Sequence, residues 1–379
     1  MAEHAVLGAG SPHGSPGWSS MACPRRTTLT LGLTLGCGQT FRWRETADGH
    51  WTGVMGGRVW TLTQTEDRLW YHEEEEDGPV TGAVKPGGRE EEEMLVDYFQ
   101  LNVNLEELYG EWGLADPHFK HIANTFPGIR MLRQDPTECL FSFICTSNNH
   151  ISRIQAMVEK LCGSLGRPLC ELDGTSYHDF PSLSALADDK VEALLRDLGF
   201  GYRARFLQQS AKQILETHGP DWLQGLRGRP YLQARDALRT LPGVGIKVAD
   251  CACLMSLDKA DAVPVDTHVW QIAKRDYKCA AGSTQKTLTD KVHRDIGDFF
   301  RKLWGPYAGW AQSVLFCADL KKFQKLKEVA SVKLEDDEKD VLPAKKAKVK
   351  MEKQETVRNT IQKPTSVRRK KAKLESQDQ

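Results

Sequence analysis

The chain has no apolar run approaching the roughly 18 residues that a membrane-spanning helix needs, which excludes a helical membrane anchor. Its first 26 residues lack the continuous apolar stretch of a secretory signal, so residence inside the cell, with no membrane partner, is the expectation. Cysteine is present in 10 copies but lacks any organisation. Positions 23, 37, 139, 145, 162, 170, 251, 253, 279 and 317 are scattered through apolar context, which suits reduced thiols and excludes a disulfide framework. Metal-ligand spacing is missing too: Cys251 and Cys253 have a single residue between them, too tight for a zinc knuckle, and no second pair follows. Net charge is also absent, since 51 Lys and Arg balance 51 Asp and Glu. The balance hides a gradient. From Val341 to Gln379 there are 12 basic and 4 acidic residues, so the rest of the chain carries an acidic surplus of eight. An acidic body leaves any nucleic-acid contact to a local patch rather than a diffuse basic surface.

At 379 residues the chain can hold two domains with a sizeable core and a tail. Residues 1–26, rich in Gly, Ser, Pro and Ala, read as a disordered or targeting segment, and Arg25 with Arg26 leaves a mitochondrial form open. Residues 27–108 read as an antiparallel β domain. Thr28-Leu29-Thr30-Leu31, Phe41-Arg42-Trp43-Arg44 and Arg58-Val59-Trp60-Thr61-Leu62-Thr63 are its candidate strands, turned at Asp48-Gly49 and Gly56-Gly57. Acidic runs at Glu73 to Asp77 and Glu90 to Glu93 flank a Gly/Pro-containing insertion. Residues 109–326 carry the i, i+3, i+4 apolar spacing of packed helices, at Glu138 to Thr146, Ile151 to Leu161, Lys190 to Leu198, Ala204 to Thr217 and Tyr231 to Leu241. Residues 327–379 are charged and poor in aromatics, and read as a disordered basic tail. Its two clusters, Lys345-Lys346-Ala347-Lys348 and Arg368-Arg369-Lys370-Lys371, resemble two halves of a nuclear import signal, which points to import machinery as a partner and the nucleus as the location. A solvated tail that simply aids DNA association fits the same residues.

The chemically informative stretch is 231–257: an amphipathic helix, the turn Leu241-Pro242-Gly243-Val244-Gly245, then the apolar helix Ile246 to Leu257. Gly243 and Gly245 allow a sharp turn and leave unpaired N–H groups at the start of the second helix, an anion site suited to a DNA phosphate. Such a contact anchors the duplex without choosing a sequence. Lys247 stands in the first turn of that helix, where the macrodipole disfavours a cation. Burial there destabilises the ammonium form further, and a neutral lysine is a nucleophile able to form a Schiff base. A lysine that merely touches phosphate is the plainer alternative. The second element is Val263-Pro264-Val265-Asp266-Thr267-His268-Val269-Trp270. Pro264 keeps Val263 extended, and Asp266 stands where an N-cap belongs, with a helix from Thr267 to about Arg275. A capping carboxylate stays ionised, so it can stabilise the oxocarbenium-like cation that forms as a glycosidic bond breaks.

This helix, Gly-rich turn, helix and Val-Pro-Val-Asp order resembles the helix-hairpin-helix base-excision DNA glycosylases, in which the lysine marks the members that also cleave at the abasic site. Many relatives carry a four-cysteine iron–sulfur motif after the aspartate; only Cys279 and Cys317 follow here, which counts against those branches. Further blocks narrow the resemblance to the eukaryotic 8-oxoguanine DNA glycosylases. They are Gly38-Gln39-Thr40-Phe41-Arg42-Trp43, Ser147-Asn148-Asn149-His150, Gly201-Tyr202-Arg203-Ala204-Arg205 and Gly305-Pro306-Tyr307-Ala308-Gly309-Trp310-Ala311-Gln312, in order between Thr34 and about Leu320. The chain departs from that family at His150, where a third Asn is usual.

The resemblance implies an α+β fold: an N-terminal antiparallel, TBP-like β-sheet domain packed on a mainly α-helical helix-hairpin-helix domain. It implies that the Gly38 carbonyl meets the N7 hydrogen that oxidation adds to guanine, that Cys251 and Phe316 sandwich the flipped base, and that Gln312 reads its Watson–Crick edge. Cys251 lies one turn after Lys247, on the same helix face. It assigns Asn148, Arg203 and Arg153 to the cytosine left behind, Tyr202 to the vacated stack, and His268 to a phosphate. From residue type alone, Tyr202 and Phe316 would pass for core and His268 for a cap. The implied reaction is attack of the Lys247 amine on C1′ with Asp266 steadying the sugar, then β-elimination, with no metal or organic cofactor and a monomer bound to duplex DNA that carries 8-oxoguanine opposite cytosine. Two alternatives stand at this stage: a glycosylase of the same superfamily for another damaged base, and a non-catalytic DNA-binding protein in which the turn only grips phosphate.

Overall fold

The computed structural model describes residues 17–23, 28–74, 88–279 and 286–328. The first 16 residues, Arg25 and Arg26, the insertion at 75–87 and the basic clusters of the tail lie outside the described residues.

The N-terminal layer is a five-stranded antiparallel sheet in the order β1 (Ser19–Ala22), β5 (Arg68–Glu74), β4 (Arg58–Gln64), β3 (His50–Met55), β2 (Trp43–Ala47). The β2–β3 and β3–β4 turns fall at the expected glycines, with Gly49 at φ +69°, Gly56 at +61° and Gly57 at +73°, where a side chain would be strained. Period-two burial places Trp60 and Leu62 of β4 beside Leu69 and Tyr71 of β5 in one apolar cluster, which also takes Leu95 from the first long helix, Arg89–Tyr98, and Phe99 from its C-cap.

Two expectations for this region are corrected. Residues 28–31 form no strand; Leu31 opens a short helix, Leu31–Gly36, that buries Leu31, Leu33 and Leu35. A side chain from β4 fixes this end, because Gln64 accepts a hydrogen bond from the Leu31 N–H at 3.1 Å and also donates to the Leu29 carbonyl. The segment expected to be disordered, 1–26, contributes β1, held to β5 by its ladder and by Arg68 Nε donating to Ser20 Oγ at 2.8 Å.

The second layer is helical, around a larger apolar core. The helices Pro136–Ile144, Ile151–Leu165, Val191–Asp197 and Arg203–Gln213 stand close to their expected positions, the last continuing as a π-type turn, Ile214–His218. One hairpin was not expected: β6 (Pro168–Leu172) and β7 (Thr175–His178) interrupt the helices. It turns at Asp173 and Gly174, both with positive φ. Nor is residue 108 a clean boundary, since Leu33, Cys37 and Phe41 belong to the helical core while Leu132 belongs to the sheet core.

Gln39 rivets the layers together. Its amide nitrogen donates to the carbonyls of Thr34 and Arg130, each at 2.9 Å, and its oxygen accepts from the Leu132 N–H at 2.9 Å. Gln134 in turn donates to the Gln39 carbonyl at 2.7 Å. A buried amide with every one of these bonds made holds its backbone in one place, and that backbone continues directly from Gly38.

Candidate active site

The helix Tyr231–Leu238, the turn and the helix Ile246–Ser256 form the expected helix-hairpin-helix. The first helix stops three residues earlier than the periodicity suggests, because Leu241 and Val244 already make turn hydrogen bonds, to the Leu238 and Leu241 carbonyls at 3.1 and 3.2 Å. A neighbouring helix pins the turn: Ser210 Oγ donates to the Pro242 carbonyl at 2.9 Å and Gln213 donates to that of Thr240 at 3.3 Å. The two glycines differ in kind. Gly243 has φ +78°, and a Cβ there would lie 2.6 Å from the Phe206 ring, so the fold itself demands glycine. Gly245, the N-cap, has an ordinary φ of −87°, is exposed, and would have no atom of the chain within 4 Å of a Cβ. The fold makes no such demand at Gly245.

Lys247 is half-buried in the first turn. Its Nζ donates to Thr146 Oγ1 at 3.1 Å and stands 4.9 Å above the Phe143 ring. Asp266 is the N-cap of the Thr267–Arg275 helix and accepts from the Val269 N–H at 2.9 Å, as the sequence suggests. Cys251 is buried on the same helix, one turn after Lys247. Burial pushes its thiol up to about 11, the Lys247 ammonium, within hydrogen-bonding reach, pulls it down, and the carboxylates of Asp250 and Asp266 push it up.

Gln312 and Phe316 lie one turn apart on the helix Ala308–Asp319, Gln312 buried and Phe316 half-buried. The edge of Phe316 meets His268, ring centroids 6.1 Å apart at 90°. His268 itself is exposed and its Nδ1 is 3.6 Å from Asp319 Oδ2. Gly38 has φ +82°, and a Cβ there would lie 3.0 Å from Ile151 Cδ1. Its neighbour Cys37 interacts directly with Cys317, the neighbour of Phe316, so the ends of the chain that carry Gly38 and Phe316 come together.

The residues assigned to the opposite base form a second group. Asn148 is exposed at φ +49°, a left-handed conformation that Asn tolerates better than most residues. Arg203 is buried; it donates to the carbonyls of Ser147 and Asn148, and its buried Nε–H has no partner among the described residues. Tyr202, 49% exposed, donates to the Ser147 carbonyl at 3.3 Å and lies beneath the Arg203 guanidinium, 4.6 Å from its ring centre. Arg153 is exposed on the first turn of the Ile151–Leu165 helix, and among the described residues its side chain makes no hydrogen bond to Asn148 or Arg203. His150, the departure from the expected Asn, caps that helix through Nδ1, which accepts from the Arg153 N–H at 3.4 Å. It thus does what an Asn does at that position.

Sequence reasoning passed over Phe143 and Thr146. Phe143 stands in the last turn of the Pro136–Ile144 helix and Thr146 just beyond it, and only the fold sets them under Lys247. A cavity of about 330 Å³, lined in part by Asp97, Arg133, Asp258 and Trp310, touches the Lys247 helix only at Leu254 and includes none of the expected site residues.

A family model described as 8-oxoguanine DNA glycosylase, N-terminal domain, matches residues 21–140, and one described as HhH-GPD superfamily base excision DNA repair protein matches residues 141–296. The chain is 41% identical over 311 residues to the N-glycosylase/DNA lyase OGG1 of Arabidopsis thaliana, covering 81% of each. It is 36% identical over 324 residues to the N-glycosylase/DNA lyase of Saccharomyces cerevisiae, covering 78% of this chain and 84% of that one. Among solved structures, it resembles the Clostridium acetobutylicum 8-oxoguanine glycosylase/lyase in complex with duplex DNA containing cytosine opposite 8-oxoguanine. The TM-score is 0.65 at 27% identity, over 76% of this chain and 91% of that one. These matches run through both layers of the fold, and the chain belongs to the 8-oxoguanine DNA glycosylase family, the N-glycosylase/DNA lyases built on the helix-hairpin-helix base-excision fold.

Proposed function

We propose that the chain excises 8-oxoguanine opposite cytosine from duplex DNA and then cleaves the strand at the abasic site, using Lys247 as nucleophile and Asp266 as the fixed negative charge. The observation that carries this is a half-buried lysine in the first turn of the helix after the hairpin, seated on Thr146 and Phe143 one turn before the buried Cys251. A lysine that only gripped phosphate would need no half-buried seat on a hydroxyl and an aromatic ring, so that seat favours chemistry over mere binding. The target base leaves the stack and enters between Cys251 and Phe316, with Gln312 at its Watson–Crick edge and the Gly38 carbonyl toward N7. Only the oxidised base has a hydrogen there to give; guanine presents a lone pair and is repelled.

The Lys247 amine attacks C1′, the C1′–N9 bond breaks, and the electron pair leaves with the base. Asp266 stabilises the positive charge that grows on the sugar. Loss of a proton from the attached nitrogen, with the C1′–O4′ bond breaking and O4′ taking up a proton, opens the sugar to an imine, and removal of a C2′ proton then expels the 3′ phosphate by β-elimination. Tyr202 fills the vacated stack, Asn148, Arg203 and Arg153 meet the cytosine, and Gly243, Gly245 and His268 contact phosphates. The basic tail directs the chain to the nucleus.

Borohydride trapping on duplexes carrying 8-oxoguanine opposite each of the four bases tests this reading. Adduct formation fastest opposite cytosine is the expected result; preferential trapping on an oxidised pyrimidine, or none on any duplex, would reject it.

A further inference from the structure

Thr146 touches the amine on which the chemistry turns, and its own hydrogen-bonding is fully determined. Its hydroxyl donates to the Phe143 carbonyl at 2.7 Å, a local bond across the end of the Pro136–Ile144 helix, while its oxygen accepts from Lys247 Nζ at 3.1 Å. A hydroxyl has one proton. Since that proton is committed to Phe143, Thr146 faces Lys247 as an acceptor alone. A neutral amine has two N–H bonds and one lone pair. The acceptor holds one N–H and has no proton to offer the lone pair, which is left turned away from the hydroxyl. The Phe143 ring, 4.9 Å away, completes the seat from the apolar side.

We propose that Thr146 is a positioning residue for the nucleophile: with its proton pinned by the Phe143 carbonyl, it holds the Lys247 amine by one N–H and so sets the direction in which the lone pair is presented to the sugar. The proposal rests on Lys247 being the nucleophile. Thr146→Val keeps the shape and removes the acceptor, whereas Thr146→Ser keeps the acceptor and its tether to Phe143. Misplacement of a reacting group by about 1 Å costs up to about 100-fold in rate.

The test measures excision from an 8-oxoguanine:cytosine duplex under single turnover with enzyme in excess. It also measures affinity for a duplex carrying a non-cleavable 2′-fluoro analogue of the lesion nucleotide. Thr146→Val is expected to slow excision at least about 10-fold while affinity stays within about 2-fold, and Thr146→Ser to stay within about 3-fold of the parent rate. If the valine variant does not fold, Thr146→Ala is measured against the same limits. A valine or alanine variant excising at the parent rate, or losing affinity as much as rate, overturns the proposal. Lys247→Gln, run in parallel, separates the two readings: if it is active, the nucleophile assignment fails; if it is inactive while Thr146→Val is fully active, only the positioning role fails.

Discussion

Asp266 Oδ1 accepts the Val269 N–H at 2.9 Å, so the carboxylate proposed to steady the sugar is also the cap of the Thr267–Arg275 helix. The two duties separate by substitution. Asparagine caps a helix about as well as aspartate but carries no charge. Asp266→Asn should therefore lower single-turnover excision by at least about 100-fold and leave thermal stability nearly unchanged, whereas Asp266→Ala should lose the rate and about 1 kcal/mol of stability. An asparagine variant with the parent rate would leave Asp266 as a cap alone.

The hairpin glycines make opposite predictions. Gly243→Ala forces a Cβ into the Phe206 ring at a φ of +78° and should cost about 1–3 kcal/mol, read as a lower unfolding midpoint. Gly245→Ser meets no atom of the chain and supplies a better cap, so stability should hold or rise. Its added side chain occupies the face that a DNA backbone would approach, and affinity for duplexes of any sequence should fall together. Unchanged affinity in Gly245→Ser would remove the turn from the DNA interface.

A buried carboxylate gives a pH signature. Asp250 lies on the Lys247 helix, bonded to the Tyr231 hydroxyl at 2.8 Å, and burial pushes its carboxyl from 3.8 up to about 7 against the pull of Arg235 and Arg301. The folded state therefore holds a proton between about pH 4 and 7 that the unfolded state has released. Stability from this group is full below about pH 4 and is lost as pH rises through 7, a difference on the order of 4 kcal/mol at 1.36 kcal/mol per unit. Asp250→Asn removes this dependence, so relative to the parent it should gain stability on going from pH 5 to pH 8. Parallel melting curves for the two proteins across that range would contradict the assignment.

The chemistry was legible in the sequence where it depends on local order. Lys247 follows the turn, Asp266 precedes a helix, and the Asp48-Gly49 and Gly56-Gly57 turns carry their own conformational signal. What distant partners decide was not legible. Thr28 to Leu31 alternates like a strand, yet Gln64 of β4 caps a helix there. Ser19 to Ala22 has little strand propensity and is ordered by pairing with β5. Asp173-Gly174 did carry a hairpin signal, and the helical periodicity around it masked the turn. Phe143 and Thr146 had no signal of their own, because their place under Lys247 depends on two helices packing far apart in sequence.

The account depends most directly on a single amine. Lys247→Gln should give no borohydride-trapped adduct and no base release from an 8-oxoguanine:cytosine duplex, with affinity for the lesion duplex largely kept. A glutamine variant that still frees the base, or still cross-links, would contradict it.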